Sequence, residues 1–335
     1  MENQQALFKT LFEKFPKVSL AFLPTPIHEL EVLTSYFNGP KILIKRDDQT
    51  GLAIGGNKTR KLEYILGDAL SKKVDTILTI GAIQSNSCRQ AAAASAKLGL
   101  RCELLLFGDR PKTNGNFLLN QLFGAQIHWQ KESPFHSLED LEKNVQERGF
   151  KPYLIPFGGS NVLGVIGYIQ AMIEMMDQIK RFNNPISHIF LAGCSGSTHV
   201  GLMIGAFLSN FSGKIISISV DTKLDRKKIY QTHLARLANE TMDVLKLNTH
   251  FQAEDFIVDC HFANGYGVMG DLEKEAIYLM AQKEGILLDP VYTGRAFGAL
   301  IQLIQKGFFA PNETVLFWHT GGAPGLFSYA DDFFK

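Results

Sequence analysis

The amino-acid sequence predicts an α/β protein made of two open, twisted, mostly parallel modules. Short β-branched runs alternate with longer amphipathic ones, which is the signature of βαβ units and a parallel sheet. The pattern then starts afresh with SLEDLEKNVQERG and KPYLIPFGG, a polar helix and a strand that runs into a glycine pair. With 335 residues, 45% of them hydrophobic, the chain has apolar mass enough for well-covered cores.

KILIKRD reads as a strand and KTRKLEYILGDALSKK as a helix. DTILTIG is the next strand, and NSCRQAAAASAKLG an alanine-rich helix closed by Gly99. RCELLLFG is a strand, followed by a helix near 116–123 and a strand at AQIHW. SLEDLEKNVQERG reads as a polar helix and KPYLIPFGG as a strand. The helix expected over 162–181 is apolar nearly all round, so it should be buried on several sides. SHIFLAG, KIISISVD and TVLFWHTGG are strands separated by helical segments. The smaller module is placed at residues 52–156, and the larger at 1–51 with 157–335. No internal repeat or Pro/Gly/Ser-rich linker marks the joins.

Charge excludes some functions. The formal net charge of +1 gives no global field to collect nucleic acid or an anionic membrane, so any charged ligand is held locally. MENQQALFKTLFEKF mixes acids, amides and lysines with its apolar residues and lacks the apolar core of a signal peptide. No run approaches the length that spans a bilayer. Cys88, Cys102, Cys194 and Cys260 lie far apart without metal-ligand spacing, and a reducing cytoplasm fits them best. His128, His136, His188, His199, His250, His261 and His319 are scattered, so no metal site is expected.

Two glycine-flanked turns carry candidate chemistry. In LAGCSGSTHVGLMIGA, residues Gly193, Cys194, Ser195, Gly196, Ser197 and Thr198 join a strand to a helix. Such a turn offers backbone N–H groups, hydroxyls and a helix dipole to one anion. It matches neither a Walker A loop nor a dinucleotide GxGxxG, and an ordinary tight turn of small residues fits the same letters. As a cup built of neutral donors it suits a cofactor monophosphate better than a triphosphate with magnesium. In TIGAIQSNSCRQAAAA, Gln84, Ser85, Asn86 and Ser87 precede a helix. Its free amides could meet a carboxylate, or Ser85 or Asn86 could simply cap the helix.

GGNKTRK places Lys58 among further cations where a helix begins, a position unfavourable to positive charge. A solvated basic face is one reading. The other is an amine whose protonated form is destabilised, leaving the free base able to form a Schiff base. The lysine, the cup and the carboxylate turn together point to pyridoxal 5′-phosphate, whose aldehyde binds a lysine and whose phosphate needs a cup.

From LPTPIHEL to HTGGAPGLFSY the chain resembles the pyridoxal-phosphate family that contains D-cysteine desulfhydrase and 1-aminocyclopropane-1-carboxylate deaminase. The resemblance implies a tryptophan-synthase β-chain-like fold (fold type II) with the cofactor between two domains, and a homodimer acting on a small amino acid. In GGNKTRKLEY it makes Lys58 the Schiff-base lysine; in QSNSCRQ it makes Asn86 the partner of the cofactor's phenolic oxygen, and Ser85 with nearby amides the holder of the substrate carboxylate. In GCSGST it makes Cys194, Ser195, Gly196, Ser197 and Thr198 the phosphate cup. Tyr266 in NGYGV and Tyr292 in DPVYTG match two active-site tyrosines, Thr293 the residue facing the pyridine nitrogen, and His319 in WHTGG lies near the expected site. Lys58, Ser85, Tyr266 and Tyr292 are thus the catalytic candidates, with Ser85, Asn86, Ser87, Tyr266, Tyr292 and Thr320 facing substrate. Tyr292 could also simply pack on the cofactor ring.

Family members that open the cyclopropane ring resemble one another in glutamate after the DPVY tyrosine and leucine before the C-terminal glycine pair. Thr293 and Thr320 stand there in this chain, as in the D-cysteine desulfhydrases, which implies α,β-elimination of D-cysteine to pyruvate, hydrogen sulfide and ammonia. A glutamate would keep the pyridine nitrogen protonated; a threonine only hydrogen-bonds it, and the shallower sink suffices when a good leaving group sits on the β-carbon. Ring-opening deamination and sulfite elimination from L-cysteate are the alternatives, and a catalytically silent cofactor or amino-acid binding protein is one of another class. Ser87, where relatives often have glutamine or histidine, and Met269-Gly270, where Pro-Asn is common, depart from the family beside the expected substrate.

Overall fold

The computed structural model describes residues 8, 10–109, 113–131, 137–182, 185–221, 224–262 and 265–334; His136 lies outside them. In chain order the elements are β1 (Ile27–Glu29), α1 (Glu31–Phe37), β2 (Lys41–Arg46), α2 (Lys58–Ser71), β3 (Thr76–Ala82), α3 (Asn86–Lys97), β4 (Arg101–Phe107), α4 (Gly115–Leu122), β5 (Gln126–Trp129), α5 (Leu138–Glu147) and β6 (Pro152–Ile155). They continue with α6 (Val162–Gln178), β7 (Ile186–Gly193), α7 (Ser197–Leu208), β8 (Lys214–Ser219), α8 (Lys227–Leu245), β9 (Ile257–Asp259), α9 (Asp271–Glu284), α10 (Thr293–Gln305), β10 (Thr314–His319) and short C-terminal turns.

The strands form two sheets. The larger has the order β1-β2-β10-β7-β8-β9, parallel except for β1, and the smaller has the order β5-β4-β3-β6, parallel throughout. All six residues of β10 are buried, which is why TVLFWH reads as one uninterrupted run rather than an alternation: helices cover both faces of a parallel sheet. The three-residue strands β1 and β9 lie at the sheet's two edges, too short for a periodic signal.

The long helix behaves as its composition demands, with one correction. Val162–Arg181 is apolar and long enough to cross a membrane by length and composition, although no such run was expected. Half of its apolar window is buried inside the protein, where Val165, Ile166 and Ile169 pack with α7 and α8. Glycines let its neighbours approach: a Cβ on Gly201 of α7 would lie 2.4 Å from Tyr168 Cβ, and one on Gly167 would lie 2.4 Å from Arg60 O of α2.

A buried ion network fixes α2 against the larger sheet. Asp47, just beyond β2, accepts bonds from Arg60 Nη2 (2.9 Å), Thr25 Oγ1 (2.8 Å), Tyr168 Oη (2.6 Å) and Trp318 Nε1 (2.8 Å). Glu174 of α6 takes Arg60 Nη1 at 3.0 Å and Lys45 Nζ at 2.5 Å. These donors hold the Asp47 carboxyl down to about 2 against the opposing effect of burial, with Arg60 the strongest of them. Every charge here is matched, as burial requires. Arg60 follows Lys58 by two residues, so the network also fixes where the lysine emerges.

Candidate active site

Two glycines make the turn before Lys58 possible. Gly56 has φ +127°, and a Cβ on Gly321 (φ +91°) would sit 2.7 Å from its Cα, so neither position has room for a side chain. Asn57 then ties three segments together. Its amide N donates to Thr320 O (2.9 Å), its Nδ2 donates to Thr198 Oγ1 (3.0 Å), and its Oδ1 accepts from Lys58 Nζ (2.9 Å). Burial chiefly, with Arg89 adding to it and Cys194 and Asp289 opposing, brings the Lys58 amine down to about 8. A lysine is placed at an unfavourable helix start where its free base can be used.

The cup closes the end of β7. Gly196 has φ +104°, and a Cβ there would meet Leu234 at 2.7 Å. Ser160 Oγ bridges the turn, donating to Ser195 O (2.6 Å) and accepting from Ser197 N (3.1 Å). Ser197 is fully buried, and its hydroxyl points to Gly159 O at 3.4 Å. The turn itself is built of neutral donors, and a cation stands beside it. Lys61, one turn after Lys58 on the same face of α2, lines the same cavity as Cys194, Ser195, Gly196 and Thr198. Burial, then repulsion from Lys58, pushes its amine well below the ordinary lysine value, and an arriving phosphate would reverse that trend.

At the second turn Ser85 caps α3, its Oγ accepting from Cys88 N at 3.2 Å. Ser87 is buried in the first helical turn. Asn86 lines the cavity with its Oδ1 already occupied, accepting from Arg89 Nη1 (3.1 Å) and Asn116 Nδ2 (2.9 Å). Its amide nitrogen is the group left over.

Tyr292 stands at the N-terminus of α10 in the cavity wall, and Tyr266 meets it with a hydroxyl–hydroxyl bond of 2.9 Å. Burial raises both phenols, Tyr292 most strongly. Arg295 of α10 fixes the turn that carries Tyr266: it donates to Gly265 O (3.1 Å), Val268 O (2.6 Å) and Val220 O (2.6 Å), and pairs with Glu273 at 2.5 Å. Met269, in the same segment, packs against the core beneath the larger sheet. Thr293 is fully buried; its hydroxyl donates to Asp289 Oδ1 (2.7 Å) and accepts from Asp289 N (2.8 Å). Thr320 reaches the cavity, and behind it His319 Nδ1 accepts from Gly321 N (3.2 Å) while Nε2 faces Leu287 O (3.0 Å), a structural role.

The structure thus gathers Lys58, Asn86, Cys194, Ser195, Gly196, Thr198, Tyr292 and Thr320 around one cavity and sets Ser85, Ser87, Ser197, Tyr266 and Thr293 outside its wall. Sequence reasoning missed Asn57, Lys61, Arg89, Asn116, Asp289 and Arg295. Only Lys61 had a local signal, its three-residue spacing from Lys58. No cluster of metal ligands occurs among the described residues.

These residues fit pyridoxal phosphate: an amine low enough to be reactive, a helix N-terminal cup with a cation beside it, and an oriented amide donor. Comparison with known proteins agrees. The family model described as "Pyridoxal-phosphate dependent enzyme" matches residues 18–321. A solved structure described as an ACC deaminase homologue is 34% identical over 98% of each chain, with a TM-score of 0.86. The apo form of Escherichia coli diaminopropionate ammonia lyase is 15% identical over 99% of this chain and 90% of its own (TM-score 0.66). An L-serine ammonia-lyase from Rhizomucor miehei is 13% identical over 95% and 99% (TM-score 0.68); these last two share the fold alone. With parallel α/β sheets of fold type II and pyridoxal phosphate as its cofactor, the chain belongs to the family of pyridoxal-phosphate dependent enzymes.

Proposed function

We propose that the protein is a lyase that removes the β-substituent of a small D-amino acid, with D-cysteine giving pyruvate, hydrogen sulfide and ammonia. The observation that carries this reading is the cavity that joins the lowered amine of Lys58 to Thr320, with Thr293 behind it. Threonine stands at both 293 and 320, where ring-opening relatives resemble one another in carrying glutamate and leucine respectively.

In this reading Lys58 holds the cofactor's aldehyde, the turn 194–198 with Lys61 holds its phosphate, and Asn86 faces its phenolic oxygen. Bound pyridoxal phosphate supplies the electron sink that acidifies the α-hydrogen of an amino acid. Lys58, freed by the incoming substrate and with an amine near 8, takes the α-proton. The Cβ–S bond breaks, and the thiolate leaves with a proton from the Tyr266–Tyr292 pair, both phenols being held protonated by burial; the released 2-aminoacrylate takes up one water and gives pyruvate and ammonia. The free amides at the start of α3 receive the substrate carboxylate. The reading further includes a homodimer and a cytoplasmic location.

Ring-opening deamination is the second reading, favoured by the 34% identical structure described as an ACC deaminase homologue. The deciding experiment measures pyruvate from D-cysteine, L-cysteine and L-cysteate, and 2-oxobutyrate from 1-aminocyclopropane-1-carboxylate, with Lys58→Ala as control. Product from D-cysteine alone, lost in the control, supports the first reading. Product only from the cyclopropane substrate replaces it with the second, and product only from L-cysteate makes the enzyme a sulfo-lyase. No product from any of them leaves a cofactor-binding protein.

A further inference from the structure

Among the described residues three arginines are almost wholly buried: Arg60, Arg89 and Arg295. Arg60 pairs with Asp47 and Glu174, and Arg295 pairs with Glu273. Among the described residues Arg89 forms no ion pair, and the Asp289 carboxylate acts on it only through its field. Its Nη1 donates to Asn86 Oδ1 (3.1 Å) and Asn116 Oδ1 (2.9 Å), its Nη2 donates to Gly55 O (2.7 Å), and its Nε bonds to nothing among the described residues. Holding a buried cation without an anion in contact costs several kcal/mol, a cost that an arriving anion offsets.

The position of the guanidinium says which anion. It lies behind Asn86 and against the Gly55 carbonyl, three residues before Lys58, and its field reaches the Lys58 amine. By occupying Asn86 Oδ1 together with Asn116 Nδ2, it turns the Asn86 N–H₂ group toward the cavity. A donor backed by a guanidinium in a low-dielectric site is strengthened for a negatively charged acceptor. Pyridoxal phosphate carries two anionic groups, one on each side of its aldehyde carbon. If Lys58 takes the aldehyde and the cup takes the phosphate, the phenolic oxygen is the anion left for Asn86.

We propose that Arg89 is the countercharge of the cofactor's phenolate, acting through an Asn86 amide that it holds in the donating orientation. This rests on the assignment of Lys58 and the cup given above. Arg89 is a positioning residue, since Asn86 stands between it and the cofactor.

The test is a cycle of protein and ligand changes. Dissociation constants of the apo-protein are measured for pyridoxal phosphate and for its 3-O-methyl ether, which has no phenolate, in the wild type, Arg89→Gln and Asn116→Asp. Asn116→Asp gives Arg89 a carboxylate of its own and also withdraws the Asn116 Nδ2 donor from Asn86 Oδ1, so it loosens both the charge and the amide orientation on which the proposal depends. The wild type should prefer pyridoxal phosphate over the ether, and Arg89→Gln should reduce that preference at least tenfold, mainly by weakening pyridoxal phosphate. Asn116→Asp should reduce it as well, and it carries the test if Arg89→Gln does not fold. Equal weakening of both ligands, or an unchanged preference in Asn116→Asp, would overturn the proposal and leave Arg89 a part of the scaffold. Borohydride reduction and peptide mass mapping of the wild type keep the two readings apart: an adduct elsewhere than Lys58 sinks the site assignment itself.

Discussion

The hydroxyls of Tyr266 and Tyr292 lie 2.9 Å apart, on rings set edge to face at 78°. The pair can pass one proton but has only one outward hydroxyl to offer, that of Tyr292 in the cavity wall. Tyr292→Phe should lower kcat about 10²-fold, in the range of lost general-acid help, with a smaller change in KM. Tyr266→Phe should cost less, and the double variant little more than Tyr292→Phe. Additive losses in kcat would show that the two do not act as a unit.

Lys58 reacts as its free base. With its amine at about 8, attachment of pyridoxal phosphate to the apo-protein should accelerate from pH 6 and level off just above pH 8. An exposed lysine would keep accelerating toward about pH 10.4. The borohydride-stable adduct at Lys58, counted after short exposures across pH 6–10, checks this. In Arg89→Gln the plateau should move to higher pH, because a neighbouring positive charge is gone.

Arg295 separates stability from activity. Arg295→Met leaves Glu273 buried without its partner and should destabilise the protein by about 3–5 kcal/mol. Adding Glu273→Leu removes the stranded charge and should return much of the melting temperature. Activity should stay low in both, because the carbonyls of Gly265 and Val268 are no longer held and Tyr266 loses its register with Tyr292. Full recovery of kcat in the double variant would make the clamp irrelevant to the chemistry.

Asp47 sets the acid limit. Its folded value of about 2 lies below the ordinary 3.8, so the folded state binds fewer protons than the unfolded one between those values. The stability this contributes is complete above about pH 4 and is lost as pH falls toward 2. Asp47→Asn should therefore destabilise the protein at neutral pH by about 3–5 kcal/mol, since it breaks the buried Asp47–Arg60 pair and leaves Glu174 as the one carboxylate facing both Arg60 and Lys45. Its melting temperature should also fall less than that of the wild type between pH 4 and 2.

Local features were legible in the sequence. Alternating runs gave most strands and helices, and GGNKTRK, QSNS and GCSGST gave three sides of the cavity. What holds those features in place was not, because its partners are distant in the chain. Trp318 meets Asp47 across 271 residues, and Arg295 meets Val220 across 75. A buried arginine without an ion-pair partner leaves no mark in the letters around it: Arg89 looks in sequence like any polar residue in an alanine-rich helix. Thr293 shows the same limit, since only the folded chain reveals that its hydroxyl proton is given to Asp289.

The sheet order also carries a timetable. The four strands of the smaller sheet come from one continuous stretch, Thr76 to Ile155, which can pair as soon as it has been synthesised. The larger sheet must wait, because β10 fits between β2 and β7 and residues 314–319 are the last strand made. Until then β2 and β7 have no common neighbour, Trp318 has not reached Asp47, and Gly321 has not closed on Gly56. A nascent chain therefore holds a finished small module beside two unjoined halves, and the lysine turn is locked only when its final strand slides in.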